Sequence, residues 1–69
     1  MAPQTAAIKR HLELVGSITG VEAEAVHRCR HLPRRIKDLR EVGLNIRSET
    51  RRDALGQRYV RYRLVQENA

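Results

Sequence analysis

The hydrophobic periodicity of this 69-residue chain changes at Gly43, and that change constrains the fold more than any other feature. Before Gly43, apolar residues recur every three or four positions, which is the spacing of amphipathic helices. After Gly43, apolar and polar residues alternate, which is typical of strands that bury one face. The length suits one domain, so we predict an α+β domain over residues 5–65, with flexible ends at 1–4 and 66–69.

A first helix is predicted over residues 5–15. Ile8, Leu12 and Val15 recur at i, i+4 and i+7, so they define one apolar face that we expect to be buried. Gly16 follows directly, at the position where a glycine commonly ends a helix. This segment therefore has both an inward face and a defined end.

A second, shorter helix is predicted over residues 20–28 because a capping box marks its start. Thr19 and Glu22 stand three residues apart, so each side chain can accept a hydrogen bond from the backbone N–H of the other. Val21 and Ala25 lie one turn apart on this helix. We expect both of them to face the core.

A third helix is predicted over residues 33–42. Proline disfavours helical structure in the residue before it and suits the first turn of a helix, so we expect the chain to turn at 29–32 and the helix to begin at Pro33. Gly43 follows as the residue that ends it. The apolar stripe of this helix is predicted to be Leu32, Ile36, Leu39 and Val42.

Two strands are predicted after Gly43, and they form an antiparallel hairpin. The loop between them, residues 52–57, contains Asp53 and Gly56, which suit tight turns. One face of the first strand carries Leu44, Ile46, Ser48 and Thr50, and one face of the second carries Val60, Tyr62 and Leu64.

The positive charge is confined to the second part of the chain. The net charge of +6 divides into −1 over residues 1–27 and +8 over residues 28–63, with Glu67 beyond them. A concentrated positive field attracts polyanions such as nucleic acids. The single cysteine, Cys29, fits a reducing compartment, and the chain has no apolar run of the roughly 18 residues that a membrane span needs.

Several short groups of residues share a pattern with a known family. They are Ile18, Thr19, Glu22 and Ala23, then Leu32, Arg35, Ile36, Asp38, Leu39 and Arg40, then Gly43, Ile46, Arg61, Tyr62, Arg63 and Leu64. On these residues, over about positions 17–65, the chain resembles the small winged helix-turn-helix domains of phages, prophages and bacterial genomes. The resemblance implies three helices followed by a two-stranded antiparallel β-hairpin wing, and binding to duplex DNA. The chain departs from the family's pattern at Pro33 and Arg34, where small residues are usual.

Helical geometry selects the residues of the third helix that could read bases. At about 100° per residue, Arg34 and Lys37 point away from the apolar stripe, in the half of a recognition helix that reads the major groove. They are the candidates for contacts with guanine edges. Asp38 could accept a hydrogen bond from cytosine, or it could pair on the surface with Arg34, Arg35 or Lys37.

Phosphate contacts require charge and reach, and arginine suits them because its planar fork matches phosphate oxygens. Some hairpin arginines could instead pair with Glu49 or Asp53, and we expect about half to be free. The candidates for DNA backbone or wing contacts are Arg28, Arg30, His31, Arg35, Arg47, Arg51, Arg52, Arg58, Arg61 and Arg63.

The function predicted from these features is sequence-specific binding of duplex DNA, as a phage or bacterial transcriptional regulator or an excisionase-like architectural factor. The alternatives are a protein-interaction module, such as a phage-encoded inhibitor or adaptor, and an RNA-binding protein, which the scarcity of aromatic residues disfavours. We expect no enzymatic activity, no cofactor, no small-molecule substrate and no metal at His27, Cys29 and His31, which lack a fourth ligand nearby. We also expect a cytoplasmic or nucleoid-associated protein. Homodimer formation, through the first helix or the last strand, stays open.

Overall fold

The computed structural model of the protein describes residues 2–65 and contains the helices and strands in the predicted order, with one additional strand. Met1 and residues 66–69, the latter predicted as a flexible end, lie outside the described residues. The helices are α1 (Pro3–Val15), α2 (Gly20–His27) and α3 (Leu32–Glu41), and the strands are β1 (Ser17–Thr19), β2 (Ile46–Arg52) and β3 (Arg58–Leu64).

The three strands form one antiparallel sheet in the order β1-β3-β2. The hairpin β2–β3 was predicted, and its register pairs Ser48 with Tyr62. The strand β1 was not predicted, and it pairs Ile18 with Tyr62 on the other side of β3. The described sheet therefore has three strands and not the two that were predicted, because a three-residue strand is too short to show a period of two.

Helix α1 begins at Pro3, two residues earlier than predicted, so Pro3 and Gln4 are helical and not part of a loose end. Proline is tolerated at the start of a helix because its missing N–H has no partner there. The helix ends at Gly16, whose φ of 96° is left-handed, and the Gly16 N–H donates to the Leu12 carbonyl. The predicted end is confirmed.

The capping box at the start of α2 is confirmed by both of its hydrogen bonds. The Thr19 N–H donates to Glu22 Oε1 at 2.9 Å, and the Glu22 N–H donates to Thr19 Oγ1 at 3.2 Å. The helix ends at His27, and the residue that follows it, Arg28, takes a left-handed φ of 53°. Its N–H donates to the Glu24 carbonyl, so residues 28–31 form a tight connection between α2 and α3.

The hydrophobic core lies where the three helices meet the sheet. Predicted members that are buried include Leu12, Ile36 and Leu39, and Tyr62 is partly buried against them. Cys29 is also buried, as a small apolar residue at the turn. The buried cluster consists of Ile8, Leu12, Ile18, Ala23, Cys29, Leu32, Ile36, Leu39 and Ile46.

Four residues that were predicted to face the core lie on the surface instead. Val15 is 64% exposed and Val42 is 59% exposed because each lies where its helix ends, beyond the packed turns. Val21 is 77% exposed and Ala25 is exposed because α2 turns Ala23 inward. An eight-residue helix has one inward stripe, and the position of the capping box does not determine which stripe it is.

Two arginines of α3 fix its position in the fold. Arg40 donates from Nε and Nη2 to the Ile46 carbonyl at 3.1 and 2.8 Å, and from Nη2 to Ser48 Oγ at 3.1 Å. On the other side of the helix, Arg35 Nη1 donates to Thr5 Oγ1 of α1 at 3.2 Å. These bonds attach α3 to the hairpin and to α1, and they leave its remaining face open.

Candidate nucleic-acid interface

The open face of α3 carries the two residues predicted to read bases. Arg34 and Lys37 are exposed, on the side opposite the buried Leu32, Ile36 and Leu39. Within residues 2–65, neither side chain forms a hydrogen bond or an ion pair. Both positive charges therefore face solvent and are available to a ligand.

Asp38 pairs with Arg35, so the surface pairing considered for it is present. Arg35 Nη1 lies 3.2 Å from Asp38 Oδ2, and the same nitrogen donates to Thr5. The Arg35 side chain is only 20% exposed, and its Nε is buried without a hydrogen-bond partner. Arg35 was predicted to contact the DNA backbone, but its guanidinium is already used to hold α3 against α1.

The turn before α3 brings further predicted residues to the same surface. Arg28, Arg30 and His31 are all exposed. Arg30 and His31 line an open depression of about 460 Å³ together with Pro33 and Arg34. The turn and the first turn of α3 therefore form one continuous basic surface.

Three of the six hairpin arginines are in ion pairs, in agreement with the expectation that about half would be engaged. Arg51 and Arg63 lie 3.1 and 3.3 Å from Glu49 Oε1, and Arg61 lies 3.5 Å from Glu22 Oε1. The hydrogen bond from Arg51 holds the pKa of Glu49 below its usual value, and that from Arg63 adds to the effect. Glu49 therefore stays ionised and neutralises part of the hairpin.

The other three hairpin arginines, Arg47, Arg52 and Arg58, are exposed and have no ion-pair partner among the residues described. Arg52 and Arg58 face each other across the ladder, next to the loop. Like charges directly opposite each other are unfavourable in a sheet. Asp53 does not relieve this repulsion through an ion pair, because it accepts from the N–H groups of Leu55 and Gln57 at 2.9 Å and shapes the loop.

A family model described as a winged helix-turn-helix domain matches residues 3–67. The chain belongs to this family. No curated protein and no solved structure matches the chain. In a winged helix-turn-helix, two helices joined by a turn form the helix-turn-helix, and here α2, the turn at residues 28–31 and α3 have that order. The family indicates DNA binding in general terms and a domain that is typically not enzymatic.

Sequence reasoning missed one feature of the winged helix-turn-helix unit, a contact between two histidines. His11 Nδ1 of α1 lies 3.1 Å from His27 Nε2, and the rings meet edge to face at a centroid distance of 5.2 Å. Burial lowers the pKa of His27, and the nearby charge of His11 lowers it further. In the sequence, His11 lies beside the apolar stripe of α1, and that position was the signal that it could meet another helix.

Two further observations complete the description of the interface. No group of three or more His, Cys, Asp or Glu side chains suited to a metal ion occurs in the described part of the chain. None of its helices is long and apolar enough to cross a membrane.

Proposed function

We propose that the protein binds duplex DNA in a sequence-dependent manner, with α3 in the major groove. The observation that carries this proposal is the exposed, unpaired state of Arg34 and Lys37 on the first turns of α3. A recognition helix contacts bases mainly with its N-terminal residues. An arginine or lysine there can donate to the O6 and N7 atoms of guanine.

The backbone contacts come from two places on either side of this helix. In the turn before α3, the proposed contacts are Arg28, Arg30 and His31, and in the wing they are Arg47, Arg52 and Arg58. The paired arginines Arg51, Arg61 and Arg63 have carboxylates beside them, so they contribute less to phosphate binding. This assignment gives about six phosphate contacts.

The resemblance to phage and bacterial domains supports a role as a transcriptional regulator or an excisionase-like architectural factor. A single helix-turn-helix contacts one half-site, and specific operators commonly contain two. We therefore propose that two copies occupy neighbouring half-sites. Measuring how many copies of the protein bind one duplex, selected from a random library, would test whether two copies bind together.

Titration of fluorescent duplex against salt tests the proposal. With about six phosphate contacts, the logarithm of the affinity should fall with the logarithm of the salt concentration at a slope near −5. Reversing the charge of Arg34 and Lys37 to glutamate should abolish binding to a selected duplex. Reversing Lys9 and Arg10 on α1 provides a matched control with the same change in net charge. Absence of binding at low salt, or equal losses in both variants, would contradict the proposal.

A further inference from the structure

The loop that closes the hairpin carries the most exposed large apolar side chain among residues 2–65. Leu55 is 85% exposed. Every residue from position 50 to position 58 is exposed, so the end of the hairpin extends beyond the core. A single exposed leucine is ordinary on a protein surface. What Leu55 can do is therefore decided by the hydrogen bonds and the charges around it.

Hydrogen bonds hold the backbone of this loop in one conformation. Asp53 Oδ1 accepts from the N–H groups of Leu55 and Gln57, both at 2.9 Å. The Asp53 N–H donates to the Gln57 carbonyl, and the Gly56 N–H donates to the Asp53 carbonyl, both at 3.0 Å. Gly56 takes a left-handed φ of 80°, which suits a glycine. The backbone of Leu55 is thus ordered before any ligand arrives, which lowers the entropic cost of binding through it.

Two unpaired arginines flank the loop on the face of the sheet where α3 lies. Arg52 and Arg58 are opposite each other in the ladder, on the same face as Ser48. Arg40 of α3 donates to Ser48 Oγ on that face. Among the residues described, neither Arg52 nor Arg58 has an ion-pair partner. The hairpin tip, residues 52–58, therefore presents an exposed apolar side chain together with two free positive charges.

We propose that Leu55 inserts between two base pairs from the minor groove and kinks the duplex, while Arg52 and Arg58 contact the phosphates on either side. Duplex DNA fits this tip because its minor groove, about 6 Å wide, has phosphates along both edges and stacked bases at its floor. Apolar side chains that enter a base step bend the duplex by about 20–90°. The inference rests on the proposed binding of DNA and adds a deformation that the contacts of α3 do not supply.

A kink gives the hairpin tip a sequence preference that needs no hydrogen bond to a base. Pyrimidine–purine steps such as TA and CA are kinked and unstacked more easily than other steps. We expect duplexes selected from a random library to carry such a step where the hairpin tip binds. The two arginines contribute to affinity on every duplex, whereas Leu55 contributes where the step can open.

Energy transfer between dyes at the two ends of a selected duplex measures the bend, and a fluorescent adenine analogue in the pyrimidine–purine step reports unstacking. With the unaltered protein we expect a bend and a rise in the emission of the analogue. Leu55→Ala should reduce the bend by at least about half and weaken binding about fivefold, because the wedge is lost. Leu55→Met keeps a long apolar side chain and should preserve the bend.

Leu14→Ala on α1 is the matched control. It makes the same substitution at a leucine that is 73% exposed and lies outside the hairpin. Since Leu14 and Leu55 are both well exposed, neither change should unfold the protein. We expect Leu14→Ala to leave the bend and the affinity unchanged, and a loss equal to that of Leu55→Ala would overturn the inference.

The same measurements distinguish failure of this inference from failure of the proposed function. Binding without a bend, or an undiminished bend with Leu55→Ala, would overturn the kink and leave the proposed binding of DNA in place. Absence of binding to any duplex at low salt would overturn both. If Leu55→Ala weakened binding to vesicles of anionic lipid and left the DNA bend unchanged, the hairpin tip would be a membrane contact and the proposed kink would be wrong.

Discussion

Helix α3 and the hairpin are both rich in basic residues, but they differ in how the free charges are separated from the bound ones. On α3, the separation is by face, because Arg35 and Arg40 bond to neighbouring elements while Arg34 and Lys37 point to solvent. On the hairpin, the separation follows the positions of the glutamates, which engage Arg51, Arg61 and Arg63.

The number of basic residues in a segment therefore overstates the charge that the segment can offer to DNA. The outer face of the sheet holds Arg61, Arg63 and Arg51 within reach of Glu22 or Glu49. A phosphate that approached these arginines would compete with a carboxylate already in place. On α3, Arg34 and Lys37 have no carboxylate paired with them, so each of these charges should contribute more to the affinity for DNA.

The largest expected effect comes from neutralising the outward charges of α3. Replacing Arg34 and Lys37 by alanine should weaken binding to a selected duplex at least about 100-fold, because each base contact contributes about 1–3 kcal/mol. Replacing Arg51 and Arg63 by alanine removes the same charge and should weaken binding by only about threefold. Fluorescence anisotropy on selected and scrambled duplexes measures both effects. Similar losses of affinity in the two double variants would show that an ion pair with a carboxylate does not reduce the contribution of an arginine to DNA binding.

A smaller effect is expected at the hairpin tip. The double change of Arg52 and Arg58 to alanine should weaken binding about tenfold at low salt and reduce the salt slope by about 2, since two phosphate contacts are lost. The loss should be similar on selected and scrambled duplexes because phosphates carry no sequence information. A loss confined to the selected duplex would instead assign base reading to the tip.

Neutralising a competing carboxylate should strengthen DNA binding, in contrast to the two changes above. Glu49→Gln releases Arg51 and Arg63, so affinity for any duplex should rise about two- to fivefold at low salt, with a steeper salt dependence. Glu13→Gln on α1 makes the same change in net charge outside the proposed interface. If both variants gained equally, net charge alone would account for the increase.

The smallest expected effect concerns the histidine contact. The pKa of His27 is lowered in the folded state from its ordinary value of 6.5, so the unfolded chain binds more protons below that pH. Stability should therefore decrease as the pH falls through 6.5 toward the lowered pKa, and the melting temperature should drop by a few degrees. In His27→Gln this part of the pH dependence should vanish, as followed by circular dichroism. A rise in stability on acidification would contradict a lowered pKa of His27 in the folded state.

The parts of the fold predicted from the sequence are those that depend on local chemistry. The capping box of Thr19 and Glu22, the helix end at Gly16 and the period of the hairpin are each set by residues close together in the chain. Strand β1 was missed because its pairing with β3 joins distant residues. Val15 and Val42 were misplaced because the end of a helical stripe reaches the surface at a point that only the packing determines.

In the candidate site too, some features are determined by nearby residues in the chain and others only by the tertiary structure. The outward direction of Arg34 and Lys37 was predictable, because it follows from their spacing relative to the apolar stripe of α3. The pairing of Arg61 with Glu22 joins β3 to α2 and depends on the unpredicted strand β1 that lies between them. Ion pairs between elements need the tertiary structure, and so does the contact of His11 with His27.

The two hydrogen bonds from Arg40 to the Ile46 carbonyl have a consequence for the length of a DNA site. They attach the hairpin to α3 at one point, so the distance between the proposed base-reading helix and the hairpin is fixed. Inserting one base pair between the stretches that they contact would move one stretch about 3.4 Å along the duplex and about 35° around it. The protein would then measure spacing as well as sequence, and Arg40 would act as the spacer although it contacts no base.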